Sequence, residues 1–170
     1  LRYGIAWLRR FVPDKVARIS LVQGDTGPAN FMFEGDRVTA VFDWEWGHLG
    51  DPIEDLGNIL VREFWNASVG MAGLLERYQT ASGIAVEPDR VRYYAVQQQI
   101  RGMMGIHAAT ESPDPHEPLT WYLAFRYVGD RATCEMLGEA MHISLEPPLL
   151  PEDEQVSDPL AAAALCALSN

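Results

Sequence analysis

Residues 19–60 read ISLVQGDTGPANFMFEGDRVTAVFDWEWGHLGDPIEDLGNIL, and the fold turns on this stretch. The apolar run 19–22 gives way to Gly24-Asp25 and Gly27-Pro28, the pattern of a strand that ends in a loop. Residues 31–33 and 38–42 are rich in aromatic and β-branched side chains and are separated by Glu34-Gly35-Asp36-Arg37, which predicts a β-hairpin. A hairpin folded there brings Asn30 and Asp43 to the same end, with Asp25 at the mouth of the preceding loop. Asp36 is read as a turn former. Asp25 and Asn30, taken singly, fit that role too, because their side chains readily bond nearby backbone. Taken together with Asp43 they offer two carboxylates and an amide oxygen, the hard donors that Mg²⁺ prefers.

Outward from this stretch the chain is helical. Ile5, Leu8 and Phe11 recur at helical spacing in residues 3–11, and Pro13 stops that helix. Gly47, Gly50 and Pro52 mark a second irregular stretch. Helices are expected at 53–64, at 74–82 with Gly83 as terminator, from Pro88 or Asp89 to about 109, and at 119–143, where Gly129 and Gly138 are weak points. Residues 1–146 are thus read as one domain. Residues 147–170, opened by Pro147-Pro148 and Pro151, are read as a Pro-rich tail with a short helix near 160–168.

Composition narrows the function classes. With 48% hydrophobic and 22% charged residues in 170, the chain fits one soluble globular domain. Its formal charge of -11 argues against a general nucleic-acid binder, which needs a basic surface. The longest apolar run, 159–168, is too short to cross a bilayer, so no membrane partner is expected. Cys134 and Cys166 are too few and too isolated for a disulfide framework or a zinc site, and reduced thiols in a cytoplasmic protein are the default. His48, His107, His116 and His142 show no ligand spacing, and the five tryptophans are read as core or partly buried.

Three ordered segments carry a resemblance. Gln23-Gly24-Asp25-Thr26-Gly27-Pro28-Ala29-Asn30 resembles the His-Gly-Asp-x-x-x-x-Asn loop of the aminoglycoside phosphotransferase-like (choline kinase-like) small-molecule kinases. Val41-Phe42-Asp43-Trp44-Glu45 resembles their Ile-Asp-Trp-Glu segment, and Gly50-Asp51-Pro52-Ile53-Glu54-Asp55-Leu56 their Gly-Asp-Pro-x-x-Asp-Leu. The resemblance implies an α+β fold: a mainly helical, protein-kinase-like C-terminal lobe whose small β-hairpin carries the catalytic and metal-binding loops. It implies ATP as phosphoryl donor and Mg²⁺ as cofactor, with Asp25 as catalytic base or hydroxyl-orienting residue and Asn30 and Asp43 as metal ligands that hold the nucleotide's phosphates. The implied acceptor is a small-molecule alcohol; related sequences act on choline, homoserine, sugars and other alcohols. Asp51 is expected to shape the loop and cap the following helix, and Asp55 to stand near its first turn, favoured by the helix dipole. Glu45 is close enough to reach the site, with a structural and a substrate-facing role both open to it, and His48, though near the site, is read as a loop histidine. The family's C-terminal helices supply the acceptor pocket, and Tyr93, Tyr94, Gln97, Arg101 and His107 lie on one of them. An aminoglycoside pocket would be densely acidic; Glu111, Asp114, Glu117, Glu135 and Glu139 are the carboxylates available, though such runs usually mark a solvated face.

Two departures qualify the resemblance. Gln23 stands where the family has His, and its amide can donate and accept in the same bracing role. Nothing in residues 1–18 forms a Gly-rich hairpin, and the sole lysine, Lys15, lies in a loop. The N-terminal nucleotide lobe is therefore expected to be missing from this chain and to be its natural partner. The isolated lobe is expected to be inactive, with an uncovered apolar face prone to self-association. Two other function classes stand beside this one: a catalytically silent kinase-like binding module, and a carboxylate-metal phosphohydrolase.

Overall fold

The computed structural model describes residues 1–16, 18–65 and 70–143. Among these residues, five α-helices and four short strands make a mixed, mainly helical α+β structure, consistent with a kinase-like C-terminal lobe. The helices are α1 (Arg2–Arg10), α2 (Ile53–Trp65), α3 (Met71–Ser82), α4 (Pro88–Glu111) and α5 (Leu119–Ala140). The strands are β1 (Ser20–Val22), β2 (Phe31–Glu34), β3 (Arg37–Val41) and β4 (His48–Gly50). The expected 160–168 helix and the 147–170 tail lie outside the described residues.

The β2–β3 hairpin forms as expected, with Phe31 opposite Val41 and Glu34 opposite Arg37, and a register irregularity between Met32 and Phe33. Sequence reading missed β4. It runs antiparallel to β1, pairing Ser20 with Gly50, Leu21 with Leu49 and Val22 with His48. Two residues between glycines, His48 and Leu49, carry too little pattern to announce a strand; this one exists because β1 offers it a ladder. Its effect is to clamp the Asp51 turn against the loop that follows β1.

α4 is the central beam. Pro88 sits in its first turn, where the missing N–H costs nothing. One face of α4 packs with α1 and α5 around Trp7, Val96, Ile100, Met136 and Leu137. The other packs with α2 and α3 around Ile53, Leu56, Ile84, Val91 and Tyr94. α3 ends at Gly83, whose φ of +69° puts it in the left-handed region and lets its N–H reach the Gln79 carbonyl at 2.9 Å. As expected, α5 runs continuously through Gly129 and Gly138, the weak points noted in the sequence. A Cβ on Gly129 would lie 2.2 Å from Met103 Sδ, so the residue serves helix contact.

The α2–α4 crossing is closer still. A Cβ on Gly57 would fall 2.7 Å from the Tyr94 carbonyl carbon and 2.8 Å from the Ala95 nitrogen, both backbone atoms that cannot swing away. Gly57→Ala is therefore expected to force the helices apart and cost about 2 kcal/mol by overpacking. A denaturant melt tests this, and a variant as stable as the parent would refute it.

The β region is apolar and bare. Every residue of β3 is exposed, and the cross-strand pair Leu21 and Leu49 is 62% and 74% exposed. Phe33, Phe42 and Trp44 are also exposed. No helix among the described residues is long and apolar enough to cross a membrane.

Candidate active site

Gly24 opens the site. Its φ of +83° is one that side-chain-bearing residues rarely adopt, and a Cβ would lie 2.6 Å from the Trp46 carbonyl oxygen. The chain can therefore turn sharply after β1 and present Asp25. One side chain then ties the acidic loops together. The buried Gln23 amide donates through Nε2 to the carbonyls of Phe42 (3.1 Å) and Asp43 (2.8 Å), while its Oε1 accepts the Asp25 N–H at 2.8 Å. Gln23 thus fills the bracing role that the resemblance implies for histidine.

Asn30 and the Asp43 loop meet through backbone, the Phe42 N–H donating to the Asn30 carbonyl at 3.0 Å. The buried Asn30 spends its amide N–H groups on the Asp25 backbone oxygen (2.8 Å) and on Asp25 Oδ2 (3.0 Å). Its side-chain oxygen is left for another partner. Asp43 is in the left-handed region with φ 60° and ψ 58°, a conformation that costs a non-glycine residue about 1–3 kcal/mol and tends to occur at functional sites. Asp25, Asn30 and Asp43 are in this way fastened to a common frame. Among the described residues no three of His, Cys, Asp and Glu gather as a metal cluster.

Asp55 stands in the first turn of α2, as expected, and does more than answer the helix dipole: its carboxylate reaches back to the loop, accepting the Gln23 and Gly24 N–H groups at 3.0 Å each and the Thr26 hydroxyl at 2.5 Å. Three backbone and hydroxyl donors on one carboxylate fix the turn that carries Asp25. Asn58 and Arg62 continue the same helix face. Asn58 donates to the Gly24 carbonyl at 3.0 Å, and Arg62 Nη2 pairs with Asp25 Oδ1 at 2.6 Å. Arg62 was not foreseen. Its signal was available, since Asp55, Asn58 and Arg62 are spaced three and four apart on a helix otherwise apolar toward the core. Gly27 makes room for it: a Cβ there would lie 2.5 Å from the Arg62 guanidinium.

Asp51 does cap. Its Oδ1 accepts the Ile53 N–H at 3.1 Å, as the sequence suggested, and Oδ2 also receives Arg90 Nε (2.6 Å) and the Tyr94 hydroxyl (2.9 Å). Burial, reinforced by that carboxylate, pushes the Tyr94 phenol far up from its usual pKa.

His48 is not a free loop histidine. Nδ1 lies 2.9 Å from the Trp46 carbonyl and Nε2 lies 3.1 Å from Oε2 of the buried Glu54, whose other oxygen takes Gln98 Nε2 at 3.2 Å. Two acceptors face the two ring nitrogens, so the imidazolium satisfies both. The Trp46 carbonyl, then Glu54, raises the His48 pKa above 6.5 against opposing desolvation and the Arg101 charge. The stabilisation is fully present below that ordinary value and fades as pH rises through the folded-state pKa. His48→Gln should therefore cost more stability at about pH 5.5 than at about pH 8.5. Equal losses in melts at both pH values would refute the linkage.

A cleft of about 860 Å³ opens beside Asp25, lined by residues of α2, α4 and α5 together with Trp46. Of the five α4 residues singled out from sequence, only Arg101 lines it. Arg101 donates to the Gly24 carbonyl and lies 4.4 Å over the Trp46 ring. Tyr94 is spent on Asp51, Tyr93 packs in the core with its hydroxyl on the Leu8 carbonyl (3.2 Å), and His107 meets Asp130 at 2.7 Å. None of Glu111, Asp114, Glu117, Glu135 and Glu139 reaches the cleft. The tryptophans split as well. Trp7 is core, while Trp44, Trp46 and Trp121 stand half exposed around the loops and the cleft.

The architecture is consistent with a kinase-like C-terminal lobe, and comparison with known proteins supplies the family. Residues 2–95 match the model of the phosphotransferase enzyme family, and the chain belongs to that family. It is also similar to acyl-CoA dehydrogenase family member 11 of rat (32% identical over 90 residues, 52% of this chain) and of human (32% over 90 residues, likewise 52%). The matched region spans only 12% and 11% of those relatives' own length. No solved structure matches.

Proposed function

We propose that this chain forms the acceptor-side half of an Mg·ATP-dependent phosphotransferase that phosphorylates a hydroxyl group of a small molecule. The observation that carries the reading is the Gln23 junction, by which one amide holds the Asp25 loop and the Asp43 segment at fixed spacing. Asp25 takes the proton of the acceptor hydroxyl as its oxygen bonds to the γ-phosphorus and ADP departs. Arg62 and Asn30 hold the Asp25 carboxylate in place for that transfer.

The donor set fits Mg²⁺. Asn30 keeps its amide oxygen free of Asp25, and no protein group bonds the exposed Asp43 carboxylate among the described residues, so two hard oxygens are left on adjoining backbone. Asn30 and Asp43 would hold the ion, which supplies neutralising charge to the phosphates. The nucleotide lobe, contributed by the parent protein, covers the bare apolar face of β1, β3 and β4, and the active protein works in the cytoplasm.

The test is to join the chain to its upstream sequence, supply Mg²⁺ and ATP, and screen alcohols for ADP release. Mg²⁺- and alcohol-dependent release is expected. Failure of the joined protein to bind Mg·ATP would leave a silent binding module, and phosphate release from a monoester without ATP would make it a hydrolase.

A further inference from the structure

The cleft beside Asp25 has a charge and a shape of its own. In a chain of net charge -11, the charged side chains lining it are Asp25, Arg62 and Arg101. Asp25 and Arg62 neutralise each other at 2.6 Å. Arg101 has no carboxylate at ion-pair distance among the described residues; Glu54 and Asp25 act on it only from farther away. Its guanidinium spends one nitrogen on the Gly24 carbonyl, and burial lowers its pKa from the usual arginine range. A partly desolvated cation without a counter-ion is a ready partner for an anion.

The walls are aromatic. Trp65 and Phe125 stack with centroids 6.4 Å apart, and Phe125 meets Trp121, 48% exposed, at 4.2 Å. The floor is bare. Gly102 and Gly105 line the cleft from the interior of α4, and a Cβ on either would meet nothing within 4 Å. Glycine disfavours helix, and neither residue serves the close packing that explains Gly57 and Gly129. What the two glycines preserve is open space.

We infer that this cleft takes an alcohol with a broad apolar body and a single negative group, the body lying on the Trp65–Phe125–Trp121 wall over the Gly102–Gly105 floor and the negative group on Arg101. The assignment rests on the phosphotransferase reading and names its acceptor class. A polycationic amino sugar would bring its ammonium groups to Arg101 and find no free carboxylate in the lining.

Three matched alcohols test it: 3-phenyllactate (anion), its amide (neutral) and phenylalaninol (cation), titrated against the tryptophan fluorescence of the whole chain. Phenyllactate should bind at least about tenfold more tightly than phenylalaninol, with the amide between them. Arg101→Gln should bring the three within about twofold of one another, while Arg101→Lys keeps their order and so separates lost charge from lost folding. Gly105→Leu should weaken all three by about tenfold or more without lowering the melting temperature. Phenylalaninol binding as tightly as phenyllactate, no binding by any of the three, or Gly105→Leu without effect would overturn the assignment. The readout needs no ATP. A protein that ranks the alcohols as expected yet never transfers phosphate refutes the transferase reading alone; one that transfers to cationic alcohols in preference refutes this inference alone.

Discussion

Asp25→Asn in the joined protein is expected to lower kcat by about 10²–10⁴-fold, the usual worth of a positioned general base. The amide is nearly isosteric and its oxygen can still accept from Arg62, while Asn30 keeps its bond to the backbone carbonyl of position 25 and loses the one to Oδ2, so the loop should keep its shape while losing its capacity to take a proton. KM for the alcohol should move far less than kcat, because the cleft walls are untouched. Thermal melts of parent and variant guard against a folding artefact. Turnover within twofold of the parent would show that some other group accepts the proton.

The largest expected stability effect lies a turn away from the chemistry. Asp51 is 4% exposed and serves the Ile53 N–H, the Tyr94 hydroxyl and the Arg90 guanidinium at once. Asp51→Ala strands a guanidinium that is itself largely buried, and should cost about 3–5 kcal/mol. Asp51→Asn keeps one acceptor oxygen, enough for the Ile53 cap, and its NH2 can donate to the Tyr94 hydroxyl oxygen, so its loss should be smaller. Arg90→Met in the Asp51→Ala background should recover part of the deficit by removing the orphaned charge. A denaturant series on the three variants decides it, and a loss below about 1 kcal/mol for Asp51→Ala would mean that water replaces the carboxylate.

Much of this arrangement was legible beforehand, for reasons of range. The hairpin announced itself through local pattern, and residues 31–33 and 38–42 needed only their turn to place Asn30 beside the Asp43 segment. Helices α2 to α5 followed from periodicity and from Gly83, Pro88 and Pro118 at their ends. What sequence could not give were contacts between distant elements. β4 has no identity apart from β1, and Asp55 sits where a first-turn carboxylate normally serves its own helix. Only the return of the chain after β1 shows that three donors claim it first. The bonds that Arg62 and Arg101 make were hidden for the same reason: 37 and 77 residues separate these side chains from the loop atoms they reach.

Gln23 has a consequence for how acidity acts on the protein. An amide neither gains nor loses a proton between about pH 4 and pH 10. A histidine in that place would change its donor pattern near neutrality and carry the Asp25 and Asp43 loops with it. Here the joint between those loops is blind to acidity, so its geometry stays constant across the range in which rates are measured. The acid limb of a rate profile then reports on groups that handle the acceptor or its proton, with no contribution from the joint itself. Gln23→His would install such a contribution, a second inflection near neutral pH where the parent has none at that joint.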